Sequence, residues 1–258
     1  MEKYDYIGER YNQTRKADPF LLSRLIHHLQ PKQDGNYLDI GCGTGNYTIA
    51  LHQNGLNIDG IEPSDLMRQE AQSRSNKIKW TKGIAELLPF DNNSYDGVLA
   101  TLTIHHWENL NMAFAEIVRV LKPGSRVVIF TSTSEQMQGY WLNHFFPKMI
   151  EKSMLQMPSL TTIESALNAA GLTIQTKELY HVKDDLQDCF LYVGKNKPAL
   201  YFNASIRNGI SSFSALANQD EVAKGLIKLQ QAIDDNTIQH IQEYYKNDLG
   251  DYMFIVAG

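Results

Sequence analysis

The chain has 258 residues, of which 43% are hydrophobic and 21% are charged, and its formal net charge is −5. This length and composition are typical of a soluble globular protein with one large domain and insertions. An acidic balance without a long basic run argues against a nucleic-acid-binding surface. No stretch of about 18 consecutive apolar residues is present to span a membrane.

The cysteines and the first residues favour a cytoplasmic protein. Only Cys42 and Cys189 are present, and their spacing fits neither a disulfide framework nor a metal site. The run from Met1 to Asp5 lacks the apolar core of a signal peptide. The scarcity of thiols also argues against thiol-dependent chemistry such as arsenic methylation.

Helices and strands are predicted to alternate through the first half of the chain. Asp18 and Pro19 begin a helix, since Asp is a good N-cap and Pro fits the first turn. A strand at 36–40 and a helix at 46–53 follow, and Ser64 caps a helix after a second strand that ends at Glu62. Later apolar runs predict strands at 77–82, 95–101 and 126–131, with a helix around 113–121. This alternation predicts a parallel sheet covered on both faces.

The pattern changes after the fifth predicted strand. Residues 133–158 are rich in aromatics, Met and Gln and have helical character. A short amphipathic helix ends at Gly171, a sixth strand is predicted at 172–182, and a last strand at 252–256. We therefore expect a single domain over 1–258, with an N-terminal arm at 1–17, a cofactor-binding core at 36–131, and cap insertions at 133–158 and 184–250.

The segment from Asn36 to Glu62 carries the clearest functional signal. An apolar run ends in three glycines at Gly41, Gly43 and Gly45, and a second apolar run stops on the acid Glu62. This is the strand, glycine loop, helix, strand and acid order of a nucleoside-binding unit. Glycines let the backbone approach a ligand closely, and an acid after the second strand can accept both hydroxyls of a ribose.

The glycine spacing separates two kinds of nucleotide site. A dinucleotide fingerprint needs its third glycine three residues after the second, at position 46, where this chain has Asn46. The third glycine instead comes early, at Gly45. This departure argues against a nicotinamide-dependent oxidoreductase, although a glycine-rich turn without a ligand remains an alternative.

The loop Asp39–Gly45 resembles the acid-x-Gly-x-Gly-x-Gly loop of class I methyltransferases that use S-adenosylmethionine. From Leu38 to Phe130 the chain is similar to the branch that includes ubiquinone and menaquinone C-methyltransferases. Six segments carry this resemblance in the right order: 38–45, 60–64, 85–90, 95–98, 104–107 and 119–124. The aromatic cap resembles trans-aconitate methyltransferases more faintly.

The resemblance implies an α/β fold, Rossmann-like and doubly wound, with a mostly parallel seven-stranded sheet whose antiparallel last strand is inserted. It places S-adenosyl-L-methionine over the carboxyl ends of the strands. The residues that it implies for the cofactor are Asp39, Gly41, Cys42, Gly43, Gly45, Glu62, Pro63, Ala85, Glu86, Thr101, Tyr11 and Arg15.

Several of these residues have a simpler alternative role. Glu62 can act only as a cap of the next helix, and Asp39 can bond turn amides rather than reach the cofactor's amino group. Arg15 lies in an arm that folds over the cofactor in relatives, where it would pair with the methionine carboxylate; a half-ordered terminus is the alternative. Many relatives carry Asp before Ala85-Glu86 to bind the adenine amine, whereas this chain has Ile84.

The acceptor side is predicted from two aromatic segments. His105 and His106 follow the fourth strand, where the donor methyl group should point, and one of them is a candidate base. Tyr140, Trp141 and His144 share a face of a predicted cap helix that continues to Phe145, and Arg207 lies in the late insertion. The alternatives are that a histidine caps the next helix and that the aromatic face seals the cap's own core.

The leading hypothesis is therefore transfer of a methyl group from S-adenosylmethionine to a small-molecule acceptor through an O, N or C atom. A protein that binds S-adenosylmethionine without turnover, as a sensor or partner subunit, is the alternative. We expect no metal, nucleic acid or membrane partner, and a monomer or homodimer.

Overall fold

The structure is a computed structural model that describes residues 12 and 14–258. The predicted arm residue Tyr11 lies outside the described residues. Within the described part of the chain, no helix is both long and apolar enough to cross a membrane.

Seven strands form one sheet in the described chain, in the order β3-β2-β1-β4-β5-β7-β6. Strands β1 to β5 pair in parallel, and β7 pairs antiparallel with both β5 and β6. This topology confirms the predicted fold class, including the inserted antiparallel last strand. The strands are β1 Asn36–Ile40, β2 Asn57–Ile61, β3 Trp80–Thr81, β4 Tyr95–Thr101, β5 Leu121–Thr131, β6 Ile174–Tyr180 and β7 Tyr252–Ala257.

The helices of the first half begin where their caps predict. The Leu21 amide donates to the Asp18 side chain at 3.0 Å, and the Met67 amide donates to the Ser64 hydroxyl at 3.3 Å. Asn109, which the sequence analysis did not single out, caps a later helix in the same way. Among residues 15–120 of the described chain, the α-helices are Pro19–Leu29, Asn46–Gln53, Asp65–Arg74 and Leu110–Val120, and a 3₁₀ helix spans Ile104–His106.

The third strand is shorter than predicted, with only Trp80–Thr81 instead of 77–82. The Trp80 indole N–H donates to the Ser75 carbonyl at 2.8 Å, which folds the preceding residues back as a loop. Its ring fills the space beside Gly45 and Gly60, where an added Cβ would lie 2.5 and 2.6 Å from the indole. Trp80 therefore packs under the glycine loop, and the residues before it do not pair as a strand.

The predicted continuous cap helix through Tyr140, Trp141, His144 and Phe145 is wrong. A first helix, Ser134–Gln138, begins at a capping box on Thr133 and ends at Gly139, and a second spans Leu142–Phe145. An added Cβ at Gly139 would lie 1.9 Å from the Asn247 amide nitrogen, so the break is packed against the late insertion. Tyr140 and Trp141 therefore lie in the connection between helices.

The rest of the cap is helical. Its first part continues with helix Pro147–Gln156, and a separate helix, Leu160–Ala169, packs in the hydrophobic cluster on the opposite face of the sheet. The late insertion holds 3₁₀ turn Pro198–Phe202, helix Ala204–Asn208, π-helix Ser212–Leu216, and helices Gln219–Asp234 and Ile238–Tyr244. The division of 1–258 into arm, core and cap insertions within one domain stays a prediction.

Two hydrophobic clusters cover the two faces of the sheet. In β5, Val128 and Phe130 belong to the cluster that continues into the cap, whereas Val127 and Ile129 belong to the opposite one. This alternation follows from the two-residue period of a strand. Because the cap packs on one face only, it covers the carboxyl ends of β1, β2 and β4 from one side, and the candidate site lies there.

Candidate active site

An open cavity with about 790 Å³ of empty space lies at the carboxyl ends of β1, β2 and β4. Open α/β sheets bind ligands at this edge because the loops that follow the strands converge there. The predicted cofactor residues that line it are Arg15, Asp39, Gly41, Cys42, Gly43, Glu62, Pro63 and Thr101.

The glycine loop is held in a conformation that favours glycine. Gly41, Gly43 and Gly45 have φ angles of 69°, 55° and 77°, in the left-handed region. At Gly41 a Cβ would lie 2.0 Å from the Thr103 hydroxyl, whereas at Gly43 its nearest neighbour would be the Met67 sulfur at 3.8 Å. Gly41 is therefore required by packing, and Gly43 leaves room on the cavity side.

Glu62 ties this loop to the end of β2. Its carboxylate accepts the Gly43 amide at 2.9 Å and the Ser64 amide at 3.0 Å, and the residue is only 5% exposed. Glu62 can therefore both cap the next helix and line the cofactor cavity, because one carboxylate oxygen faces the start of that helix and the other faces the loop. A carboxylate held by two backbone amides has a fixed orientation at the cavity wall.

Asp39 is buried beneath the loop. Its carboxylate accepts the Thr48 hydroxyl at 2.7 Å, from the helix that follows the loop, rather than the turn amides that the sequence alternative invoked. Burial raises the pKa of Asp39 to about 7, with a smaller contribution from the Glu62 charge. The cavity therefore holds one carboxylate that changes its charge near neutral pH.

The end of β4 supplies an unusual stretch of backbone. Leu102 has a φ of 53°, which costs energy for a residue with a branched side chain, and its amide donates to the Phe130 carbonyl at 2.7 Å. The neighbouring Thr101 hydroxyl is buried and has no hydrogen-bond partner among the described residues. Such strain and an unsatisfied polar atom at one cavity wall are typical of a ligand site.

The loop is also pinned from outside by residues that the sequence analysis missed. The Arg74 guanidinium donates to the Thr44 carbonyl and to the Asn46 side chain, both at 2.7 Å. Asn12 accepts the Thr44 hydroxyl at 2.5 Å and donates to Glu70 at 2.8 Å. An Arg at the last turn of a predicted helix gave no sign of this role.

Arg15 forms an ion pair with Asp188, which is 1% exposed. The Tyr47 hydroxyl donates to the same carboxylate at 3.3 Å. Two further hydrogen bonds reinforce this contact. The Cys189 amide donates to the Thr14 carbonyl, and the Gln187 amide donates to the Asp18 carboxylate, both at 3.0 Å. Residues 14–18 are thus fastened to 187–189 across the cavity, and Asp188 was not predicted.

Three of the predicted cofactor residues that the structure describes, Gly45, Ala85 and Glu86, do not line the cavity. Ala85 is 2% exposed within the core, and Glu86 accepts the Asn109 amide at 3.1 Å, at the start of the next helix. A bridge between Ile84 and Leu87 closes the segment that holds Ala85 and Glu86. Ile84 itself is 48% exposed.

A second cavity, with about 610 Å³ of empty space, adjoins the first. Among the described residues, Arg15, Leu102 and His106 line both cavities, and His105 lines only the second. The two histidine rings lie 3.8 Å apart between centroids. The strained turn after β4 therefore forms the boundary between the two spaces.

Of the predicted pocket residues, only Tyr140 lines this cavity. Trp141 is 1% exposed, and its indole N–H donates to the Lys195 carbonyl at 3.0 Å within the core of the cap. His144 packs edge-on against Phe145, and Arg207 donates to the Tyr201 carbonyl. Tyr140, Trp141 and His144 were grouped on one helical face, but Tyr140 and Trp141 lie in the connection after Gly139, ahead of helix Leu142–Phe145.

The other residues of the second cavity were missed. Ser132 and Tyr252 come from the ends of β5 and β7, and the remainder come from the cap: Met137, Met157, Phe190, Leu191, Ile210, Ser211 and Ser212. The position of Ser132 just after a strand was the one available signal. Apart from Met137, most of these cap residues lie in turns and connections, where neither the helical nor the strand period of apolar residues applies.

Comparison with known proteins assigns the fold to a family. Residues 38–129 match the methyltransferase domain family. The crystal structure of a protein described as a methyltransferase of an antibiotic biosynthesis pathway in Anabaena variabilis superposes with a TM-score of 0.84 at 33% identity, covering 95% of this chain and 99% of that one. The chain belongs to the S-adenosylmethionine-dependent methyltransferases.

Two further relatives show how far the similarity of this methyltransferase to known proteins extends. A malonyl-[acyl-carrier protein] O-methyltransferase of Erwinia pyrifoliae is 28% identical over 169 residues, which are 64% of this chain and 62% of that protein. YcgJ of Bacillus subtilis has a TM-score of 0.60 at 18% identity over 92% of this chain and 96% of its own, which shows the fold alone. The methyltransferase uses S-adenosyl-L-methionine as its methyl donor.

Proposed function

We propose that this methyltransferase transfers a methyl group from S-adenosylmethionine in the first cavity to a small molecule in the second. The observation that carries this proposal is the shared wall of Arg15, Leu102 and His106. A methyl group held at that wall would lie between the cofactor sulfur and the acceptor atom. Displacement at a sulfonium requires the donor and the acceptor to be held in line.

The residues of the first cavity fit this cofactor. Glu62 is oriented to accept the ribose hydroxyls, and Gly43 leaves space for the ligand beside the loop. Asp39 would stabilise the cofactor's amino group, and the unsatisfied Thr101 hydroxyl offers a further contact. When bound, the cofactor supplies an activated methyl group; the protein supplies position and charge.

A small acceptor is supported by the lining of the second cavity. Most of its described lining comes from the cap insertions, so an acceptor must reach the methyl group between cap segments, which favours a small molecule over a protein or RNA surface. The two relatives named above are described as an O-methyltransferase and as part of an antibiotic pathway, which is in line with metabolite chemistry. The six motif segments between 38 and 124 support a place for the chain beside the ubiquinone and menaquinone C-methyltransferases. The aromatic residues of the cap support its likeness to trans-aconitate methyltransferases.

Binding and turnover test the proposal separately. Calorimetry should show saturable binding of S-adenosylmethionine and S-adenosylhomocysteine but not of NAD. Incubation with a metabolite mixture should then form S-adenosylhomocysteine. Binding without product in any acceptor mixture would favour the sensor alternative, and no binding would overturn the proposal.

A further inference from the structure

The second cavity combines an apolar body with a small polar edge. Its apolar wall is formed by Met137, Met157, Phe190, Leu191 and Ile210. Apolar and aromatic side chains with a few polar groups are the usual lining of a site for a small organic ligand. The walls therefore suit an apolar, ring-sized body, and the polar edge decides which functional group that body carries.

Two of the hydroxyl groups at the edge, those of Ser132 and Tyr140, use their protons inside the protein. The Tyr140 hydroxyl donates to the Asp251 carbonyl, and the Ser132 hydroxyl is 3.0 Å from that carbonyl and 2.9 Å from the Tyr140 oxygen. Burial raises the pKa of Tyr140, so its hydroxyl stays protonated at neutral pH. Whichever acceptor Ser132 chooses, both protons are committed, and lone pairs of Ser132 and Tyr140 remain to accept a donor.

The charge in this cavity disfavours a cationic ligand. None of the described residues that line it carries a carboxylate, and its permanently charged residue, Arg15, is already paired with Asp188. An ammonium group would lose its hydration there without an anionic partner. The aromatic rings do not form an open cage either, because Tyr140 stacks on Tyr192 at 4.0 Å and Phe190 packs edge-on against Tyr252 at 4.6 Å.

From these observations we infer that the acceptor is a neutral molecule with an apolar, ring-sized body and a hydroxyl group that becomes a methyl ether. This inference rests on the proposed function. The acceptor oxygen bonds to the methyl carbon as the carbon–sulfur bond breaks, and that electron pair stays on sulfur, which becomes a neutral thioether. The hydroxyl proton passes to His106, which lines both cavities.

The test compares two probes that share a naphthalene ring, naphthol and naphthylmethylamine, the second being cationic at neutral pH. Each is titrated by calorimetry into the protein saturated with S-adenosylhomocysteine. Naphthol should bind at least tenfold more tightly. Equal or tighter binding of the amine would overturn the inference, whereas failure of S-adenosylhomocysteine itself to bind would overturn the proposed function.

A matched pair of variants locates the probes. Met157 is half-buried and lines the cavity, so Met157→Glu adds a carboxylate facing the ligand, and Met157→Gln adds a neutral group of the same size. The preference for naphthol should fall at least tenfold in Met157→Glu and persist in Met157→Gln. An unchanged preference in both variants would show that the probes bind elsewhere, and the inference would fail.

Discussion

Glu62 is the residue on which the cofactor cavity depends most directly. It orients the loop through the Gly43 and Ser64 amides and faces the cavity with the same carboxylate. We expect Glu62→Ala to weaken S-adenosylmethionine binding by about 2–3 kcal/mol, because charge-assisted hydrogen bonds to the ribose are lost. Calorimetry on the purified variant measures this loss.

Glu116 provides a matched control for that substitution. Its carboxylate also accepts a backbone amide, from Leu88 at 2.8 Å, but it does not line either cavity. Glu116→Ala should lower stability without changing cofactor affinity. Equal affinity in Glu62→Ala and the unchanged protein would remove Glu62 from the site.

Asp39 should release protons when the cofactor binds. Its pKa of about 7 means that it is about half protonated at pH 7. The cationic amino and sulfonium groups of the ligand favour the charged carboxylate and lower that pKa, so binding should release roughly half a proton at pH 7 and more at pH 6. Calorimetry in two buffers of different ionisation enthalpy counts the protons.

The variant Asp39→Asn is the control for this count. It cannot titrate, so the apparent binding enthalpy should become independent of the buffer. If the unchanged protein shows no buffer dependence between pH 6 and 7.5, a range that brackets the Asp39 pKa, then Asp39 does not change its charge on binding.

The two histidines should differ in their importance. His106 lines both cavities and His105 only the second, so a base acting at the methyl group is expected at His106. We predict that His106→Ala lowers turnover by about a hundredfold or more while cofactor affinity stays nearly intact. His105→Ala should have the smaller effect. Full turnover in both variants would leave catalysis to positioning alone.

At the scale of elements, the glycine loop can be tested by separating strain from occlusion. Gly43 and Gly55 both have positive φ, at 55° and 91°, but only Gly43 lines the cavity. Valine at either position costs about 1–2 kcal/mol in backbone strain. We expect Gly43→Val to abolish cofactor binding as well, because its side chain enters the cavity.

Gly55→Val is the control, since an added Cβ there has no neighbour within 4 Å. Unfolding in urea should show similar destabilisation of both variants, and calorimetry should show a binding defect in Gly43→Val alone. Normal binding by Gly43→Val would mean that the ligand passes elsewhere.

The elements that sequence predicts well are those with local signals. The helix caps at Asp18 and Ser64 were found because their side chains bond amides three residues away. The cap was predicted poorly, because its break at Gly139 depends on packing against Asn247, more than a hundred residues later. Tyr140 and Trp141 are adjacent in sequence, but Tyr140 lines the second cavity and Trp141 is buried in the core of the cap. This difference is decided only by the folding of the cap.

At the scale of the whole molecule, the link between Arg15 and Asp188 joins the first described residues to the cap. Asp188 is nearly fully buried, so removal of Arg15 leaves a charge with less compensation. We expect Arg15→Ala to destabilise the fold by about 3–5 kcal/mol. Urea unfolding measures this cost.

A double-mutant cycle isolates the pair. If the stranded charge causes the loss, the double variant Arg15→Ala/Asp188→Ala should be little less stable than Arg15→Ala alone. Strictly additive losses would show that the two side chains contribute independently. Sequence could not foresee this pair, because the partners are separated by 173 positions.

The insertion of β7 between β5 and β6 couples the assembly of the sheet to that of the acceptor cavity. In the described sheet β6 pairs only with β7, and β7 begins with Tyr252, whose ring lines the second cavity. During synthesis, a nascent chain that has not yet reached Tyr252 carries an open edge on β5, while the glycine loop and Glu62 are already made. The glycine loop and Glu62 can therefore fold before the second cavity is complete, because β7 completes both the sheet and the wall of that cavity.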